Sequence, residues 1–556
     1  MIKFFLSFVF SVSLFLSVTA QNYPQGYFRH PLAIKMELVA NFGEIRTNHW
    51  HMGLDIRTQQ RENLPVYAAA EGYVSRVLVE PGGFGQAIYI THPNGYTTLY
   101  AHMNGFFPAL QEYVLTQQYA QETWHINLTL SPGQFPLAKG DYIGLSGNTG
   151  GSAGPHVHFE IRDTKTENVL NPLLFKFPIP DAVPPSVTRL AMYDRNRSTY
   201  MQSPQLLNLA TVRNRGIKVG ANKISFAIGA TDRFSGSNNP NGVYAAKISV
   251  DGKPVSSFTH DNISYPDSRY INAQIDYPYD ARGGASLQHL TPLPGATNVA
   301  YNTYGGDGII HLQDNEPHPV VIEVQDAALN TTRISFTIQY DGSLTPAATN
   351  NATEMFLPNQ INVFERDDFQ LVTTERTMYD AINVSFNASN NGAAGSVSPV
   401  YSILSSAIPA HDSVTVRIRP SAAIAEEDRD RIVIKNVVGT RTYLQKATWQ
   451  RGYLTAKFRQ FGTYQAFIDR EPPTINAVPA SLAGVRRIVF TPKDNFNVIK
   501  RFRAEVNGQW LRFTNDKGKT WIYTVDDKFP KGESQLKVRM EDEAGNVTEK
   551  IWNVRR

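Results

Sequence analysis

The pentapeptide His156-Val157-His158-Phe159-Glu160 alternates polar and apolar side chains with a period of two. An extended strand sends successive side chains to opposite faces. Val157 and Phe159 are therefore expected in a core, and His156, His158 and Glu160 on the other face. That demands a sheet packed on one side, and the preceding residues read as one. Segments 73–80 (YVSRVLVE), 86–92 (QAIYITH) and 97–103 (TTLYAHM) are short β-rich runs, separated by Pro81-Gly82-Gly83 and Pro93-Asn94-Gly95 turns. Residues 109–122 (ALQEYVLTQQYAQE) instead predict a helix, inserted between two core strands. The wider insertion, 104–136, carries Tyr113, Tyr119 and Trp124. It is expected either to wall a groove or to pack against a later domain.

The same strand carries chemistry. His51 and Asp55 lie four residues apart with Gly53 between them, and glycine disfavours a helix there. In an extended chain the two share a face, and Gly53 leaves room above them. The chain has no cysteine, which excludes disulfides, thiolate chemistry and iron–sulfur clusters. Any metal must be held by His, Asp or Glu. Two imidazoles and a carboxylate can meet on one ion, and zinc takes three protein ligands plus an open position for water. Bound zinc brings that water's pKa towards neutrality. His49, His51, His92, His102, His125, His156 and His158 all fall in this first region, which concentrates the candidates. The glycines from Gly147 to Gly154 are not a phosphate loop, because no Lys stands in the Walker position and no βαβ unit surrounds them.

The first twenty residues begin with Lys3, run apolar from Phe4 and end Val18-Thr19-Ala20, the pattern of a signal peptide cleaved after Ala20. No later stretch is long and apolar enough to span a bilayer, so no integral membrane segment is expected after cleavage. The chain is read as secreted across the inner membrane, periplasmic or extracellular. A formal charge of +4 on 556 residues is too weak to argue for nucleic acid, and no basic run interleaves with aromatics. That length calls for several domains. A Pro-rich linker spans 175–186, and the remainder reads as all-β with a loose internal repeat. Asp181-Ala182-Val183-Pro184-Pro185 matches Asp469-Arg470-Glu471-Pro472-Pro473, Val250-Asp251-Gly252 matches Val506-Asn507-Gly508, and Asp326 to Asn330 matches Asp542 to Asn546. A strand start, a hairpin turn and a turn into a final strand, in that order, suit an immunoglobulin-like sandwich. The expected fold class is mainly β. A signal peptide (1–20) precedes a compact antiparallel β-sheet domain (21–175), an Ig-like β-sandwich (176–345), a further β-sandwich (346–468) and a last Ig-like β-sandwich (469–556).

Residues 42–174 resemble the lysostaphin/LytM-type zinc endopeptidases. The resemblance rests on the HxGxD stretch at His51, on Tyr100-Ala101-His102, on Val66 to Gly72, and on the SGNTGxSxGPHxHFEIR run ending at Arg162. It implies that His51, Asp55 and His158 are zinc ligands, and that His102 and His156 flank the metal-bound water, orient or deprotonate it, and stabilise the oxyanion. Glu160 shares a face with both histidines of the strand and is a candidate partner for one of them. Arg46 stands where relatives often carry Arg.

The function so implied is zinc-dependent hydrolysis of amide bonds in peptidoglycan stem peptides or cross-links. The Ig-like units are candidates for contacting an envelope protein partner. Two other readings have distinct signatures. A non-catalytic regulator of a cell-wall amidase would have lost metal ligands, and here the set is complete. A wall-binding scaffold would rest on the sandwiches, whose Trp510 and Trp521 read as core residues rather than ligand platforms.

Overall fold

The computed structural model describes residues 23–296, 300–344 and 354–556. The signal peptide read at residues 1–20 lies outside them. The chain is mostly β, as expected.

The first region is organised by one antiparallel sheet. Its strands are β1 (Leu38–Ala40), β2 (Leu54–Arg57), β3 (Gly72–Val79), β4 (Gln86–Thr91), β5 (Tyr96–Ala101), β6 (Ile126–Thr129) and β7 (His156–Asp163). Their order across the sheet is β1-β2-β7-β5-β4-β3-β6. The strand with the polar–apolar alternation, β7, therefore lies between β2 and β5. Register pairs His158 with Asp55 on one side and with Ala101 on the other. Val157 and Phe159 are fully buried in a core shared with Leu54, Ile56, Val74, Ile88 and Tyr100. Val157 and Phe159 thus go where the period-two pattern sends them.

The helical insertion forms as read. α1 (Pro108–Ala120) starts with proline in its first turn, where the missing N–H costs nothing, and buries Leu110, Val114 and Gln118. Its outward face meets the last unit of the chain. Tyr119 packs edge-on against Trp510 with ring centroids 5.4 Å apart, and Arg503 pairs with Glu122 at 2.7 Å. Among the described residues none from 104–136 lines the groove that holds the histidines. Of the two roles expected for the insertion, packing against a later domain is the one found. Both partners carry large aromatic rings, and burying these against each other outweighs exposing them at a groove edge.

Three two-sheet units follow. In the first, a sheet built on Ser186–Asp194 and Lys223–Thr231 faces one built on Ala245–Val250, Pro317–Gln325 and Thr331–Tyr340, over Leu190, Phe226, Ile248, Ile322 and Phe336. The second pairs two five-stranded sheets containing Pro409–Ile418 and Ile432–Val438. The last packs Ile499–Val506, Glu533–Asp542 and Val547–Arg555 against Arg487–Phe490 and Trp521–Thr524. Trp521 is a core residue, as read. The expectation of an all-β remainder fails in the first sandwich, which carries the helix Leu209–Arg215 and a further helical segment. That segment holds Pro266–Tyr270, Ile271–Gln274 and Tyr277–Ala281 as short helices. Tyr270, Ile271 and Ala273 pack with Phe42, Trp50 and Met52 of the first region and with the next sandwich in one continuous core. Trp50 Nε1–H donates to Gln274 Oε1 at 2.6 Å. These helices are too short to show a 3.6-residue period, so tertiary packing, not local pattern, forms them.

His289 sits in the first sandwich with both ring nitrogens buried and no hydrogen-bond partner among the described residues. Burial, then the charge of Arg195, lowers its pKa to about 3. The native state keeps it neutral while the unfolded chain protonates it near 6.5. The unfolded state binds the extra proton between these values, so stability from this residue is present above pH 6.5 and is lost as pH falls towards the folded pKa. The gap in unfolding free energy between wild type and His289→Gln is expected to narrow by about 1.4 kcal/mol per pH unit between pH 6.5 and 4. Denaturant titrations of both proteins across that range measure it.

Candidate metal centre

β2 and β7 run side by side, and Asp55 and His158 are direct cross-strand partners. His51 enters from the turn before β2. His51 Nε2 lies 3.0 Å from Asp55 Oδ1 and 3.1 Å from His158 Nδ1, and His158 Nδ1 lies 2.9 Å from the same carboxylate oxygen. His156 Nε2 is 3.3 Å from it. His51, Asp55 and His158 are all buried, and each offers a ligand atom to one point. His102 follows β5 with φ 60°, a left-handed conformation uncommon outside glycine. That twist turns its ring onto His156, with centroids 4.8 Å apart. The structure thus brings together all five site residues read from the sequence.

The far nitrogen of each ring explains why they point this way. His51 Nδ1 contacts the Asn41 carbonyl at 2.8 Å, His102 Nδ1 the Thr149 carbonyl at 2.8 Å, and His156 Nδ1 the Gly154 carbonyl at 2.8 Å. A carbonyl only accepts, so each of these nitrogens carries the proton. His158 Nε2 faces the Glu160 carboxylate at 2.9 Å. His51, His102 and His156 therefore turn their second nitrogen inward, as His158 turns Nδ1; burial lowers the His158 pKa, but Asp55 and Glu160 outweigh it and raise it to about 9. Imidazole nitrogens gathered at about 3 Å around one carboxylate oxygen are held together by a shared positive charge, carried by ring protons or by a metal ion. A tetrahedral, nitrogen- and oxygen-liganded ion fits this donor set.

Burial raises the Asp55 pKa, but the His51 charge and hydrogen bonds from His156 and His158 outweigh it, and the carboxyl is held well below its usual range. His102 is lowered to about 3 by burial and then by the neighbouring histidines, so it is a neutral base. Glu160 is fully buried, and Arg162 Nε–H donates to its other oxygen at 2.7 Å. Tyr265, from the first sandwich, donates its hydroxyl hydrogen to Glu160 as well. Glu160 is legible in the sequence but Tyr265 is not, since nothing there signals which loop of a later unit covers the site. Arg46 approaches the second Asp55 oxygen at 3.8 Å and pairs with Glu44 at 2.8 Å. His92 is a structural residue, held by the Glu71 carbonyl and Thr98. His125 lies outside the groove, whereas His49 sits on its rim.

The groove has a volume of about 820 Å³, and Phe84, Ser152, Pro155 and Tyr265 are among the residues around its five polar ones. Gly53 sets the spacing of its floor. A Cβ there would stand 2.6 Å from the Phe159 carbonyl oxygen and 2.9 Å from the His158 ring. Gly53→Ala is expected to cost about 1–3 kcal/mol and to weaken metal binding by displacing His158. Thermal melts and metal titration read the two effects separately.

A sheet whose paired strands converge two histidines and an aspartate at the base of a groove forms a candidate metal site. Residues 49–120 match the model of peptidase family M23. Residues 353–469, read from sequence as a β-sandwich, match a Zu5-like domain. The chain is 28% identical over 196 residues to the DD-carboxypeptidase/endopeptidase Mpg of Neisseria meningitidis serogroup B, covering 35% of this chain and 34% of that protein. It is 28% identical over 139 residues to the peptidoglycan DD-endopeptidase ShyA of Vibrio cholerae, covering 24% and 26%. A solved zinc-containing peptidase from Vibrio cholerae is 24% identical, with 27% of this chain and 40% of that one covered and a TM-score of 0.20. The chain thus spans about a third or less of the length of the curated relatives named here.

Proposed function

We propose that the protein is a zinc-dependent endopeptidase that hydrolyses amide bonds in peptidoglycan peptides, acting outside the cytoplasm. The observation that carries this reading is the convergence of three imidazole nitrogens, those of His51, His156 and His158, on one buried carboxylate oxygen of Asp55. The family of the domain and the names of its relatives support the reaction and the substrate class. His51, Asp55 and His158 hold the ion. Zinc there supplies Lewis acidity and makes water acidic enough to attack at neutral pH. His102 and His156, whose outer nitrogens donate to carbonyls, keep free inner nitrogens beside the reacting position. One accepts the proton of the attacking water, and in its protonated form can return it to the leaving amine. The other orients the attacking water and, in an imidazolium form that has taken a proton from solvent, donates to the oxyanion. Glu160 holds the His158 ring by its far nitrogen. The domain division we propose is 21–175, 176–345, 346–468 and 469–556, with residues 1–20 removed on export. Among the described residues no helix is long and apolar enough to cross a membrane.

The test is metal content and release of soluble muropeptides from purified cell wall, measured on the processed chain and on His158→Ala. One zinc per chain with hydrolysis, both lost in the variant, is the expected result. A chain that binds no zinc would overturn the ligand assignment and favour the regulator of an amidase.

A further inference from the structure

We propose that the chain carries two equivalent sites for a hard divalent cation of the calcium class, one formed by Asp181, Asp232 and Asp326 and the other by Asp469, Asp494 and Asp542. In each set one carboxylate oxygen per residue lies within 4.8 Å of the other two. The sets are one construction built twice. Asp181 and Asp469 stand just before the Pro-Pro pairs that open their sandwiches. Asp232 follows strand Lys223–Thr231, and Asp494 follows Arg487–Phe490. Asp326 directly follows strand Pro317–Gln325, and Asp542 ends strand Glu533–Asp542, each the penultimate strand of its sandwich. The backbone N–H of Asn330 donates to Asp326 at 2.9 Å, and that of Asn546 to Asp542 at 2.8 Å. The amide groups of the same asparagines donate to the second oxygens at 2.7 and 2.9 Å.

The sign of a missing ligand is an oxygen with nothing to bind. Asp232 is 2% exposed, and its Oδ1 has no hydrogen-bond partner among the described residues. Its counterpart Asp494 also has a buried Oδ1 with no partner among them. The same member of each triad is left unsatisfied, 262 positions apart in the chain. Buried polar atoms are rarely orphaned, and an unplaced ion is one of the standing reasons. The charges that face Asp232 are those of Asp181 and Asp326, and those that face Asp494 are Asp542 and Asp469. Burial, and then these like charges, push the Asp232 carboxyl up to about 7 and raise Asp494 as well. A bound cation reverses that balance.

An all-oxygen donor set selects calcium, magnesium or manganese over zinc. Calcium tolerates irregular geometry and completes its shell with carbonyls and water, whereas magnesium demands a near-regular octahedron. The first aspartate of each set lies at the entry to its sandwich, within the Phe175–Ser186 linker in one case and after strand Gly462–Ile468 in the other. An ion there ties the incoming segment to the ends of two strands, fixing each sandwich to the unit before it. This is independent of the peptidase reading.

The probe is calcium chloride, titrated calorimetrically into the full processed chain with zinc saturating the histidine site. The expected stoichiometry is two calcium ions per chain, falling to one in Asp232→Asn or in Asp494→Asn and to none in the double variant. Calcium is also expected to slow proteolysis in the 175–186 linker of wild type and not of Asp232→Asn. Asparagine keeps the side-chain shape, and circular dichroism checks the fold of each variant. If either single variant misfolds, the other still tests its own site. No calcium uptake by wild type up to the ~10⁻³ M range of extracellular modules, or unchanged stoichiometry in a folded double variant, overturns the proposal.

Discussion

Asp55→Ala is expected to empty the metal centre and to lower hydrolysis roughly 10³-fold or more. Metal-ion catalysis supplies several kcal/mol of transition-state stabilisation, and each 1.4 kcal/mol is a factor of about ten in rate. Asp55 Oδ1 is the one atom that contacts His51, His156 and His158 together. Without it, three imidazoles face one another with no anion to offset the ion's charge. Asp55→Asn separates this effect from misfolding, because the amide fills the same space without the charge. Zinc titration and a muropeptide assay on both variants should agree, with metal and activity lost together. His102→Ala and His156→Ala should behave differently. Each is expected to keep its zinc and lose about 10²–10⁴-fold in rate, the worth of a positioned acid or base. A His102→Ala protein that loses its metal would move His102 from proton transfer to metal holding.

Much of this site is legible in the amino-acid sequence. Strand β7 carries the whole argument in five residues, because a period of two has one physical use and the histidines fall on the face opposite Val157 and Phe159. The pairing of β2 with β7 is not legible there, since register between strands a hundred residues apart is set by the packed core and not by either segment alone. The family resemblance fills that gap by assigning His51 and Asp55. The conformation of His102, at φ 60°, is also hidden. No local residue pattern marks a histidine for the left-handed region, and the surrounding Thr149 and Phe84 carbonyl contacts hold it there. The long-range assembly is the least legible part. The segment 266–281 lacks any strand or helix period, yet its Tyr270 and Ile271 fill a core between three units. The repeated aspartates read as turn markers, and only their convergence in space gives them a second meaning.

Glu160→Ala is expected to weaken zinc binding about 10–100-fold, the usual cost of losing a carboxylate behind a metal-ligating histidine, and to destabilise the chain by about 3–5 kcal/mol. Two separate contacts underlie the two effects. One oxygen receives His158 Nε2–H at 2.9 Å and the Tyr265 hydroxyl, and the other receives Arg162 Nε–H at 2.7 Å. Burial pushes this carboxyl up, while Arg162, His158 and Tyr265 outweigh it and keep it ionised. Removing it leaves Arg162 buried among Phe84, Tyr89 and Tyr265 with its charge unpaired. Glu160→Gln should divide the effects: its amide oxygen can still accept from one donor, so metal affinity falls less than stability does. Tyr265→Phe removes a single donor and is expected to cost about 1 kcal/mol, with the ring still in place over Arg162. Because Tyr265 belongs to the first sandwich, even that small loss would show the site responding to a residue outside its own domain. Zinc affinity and thermal midpoints of the three variants measure this directly. If Glu160→Gln binds zinc with wild-type affinity, Glu160 serves Arg162 alone, and the orientation of His158 rests on its strand.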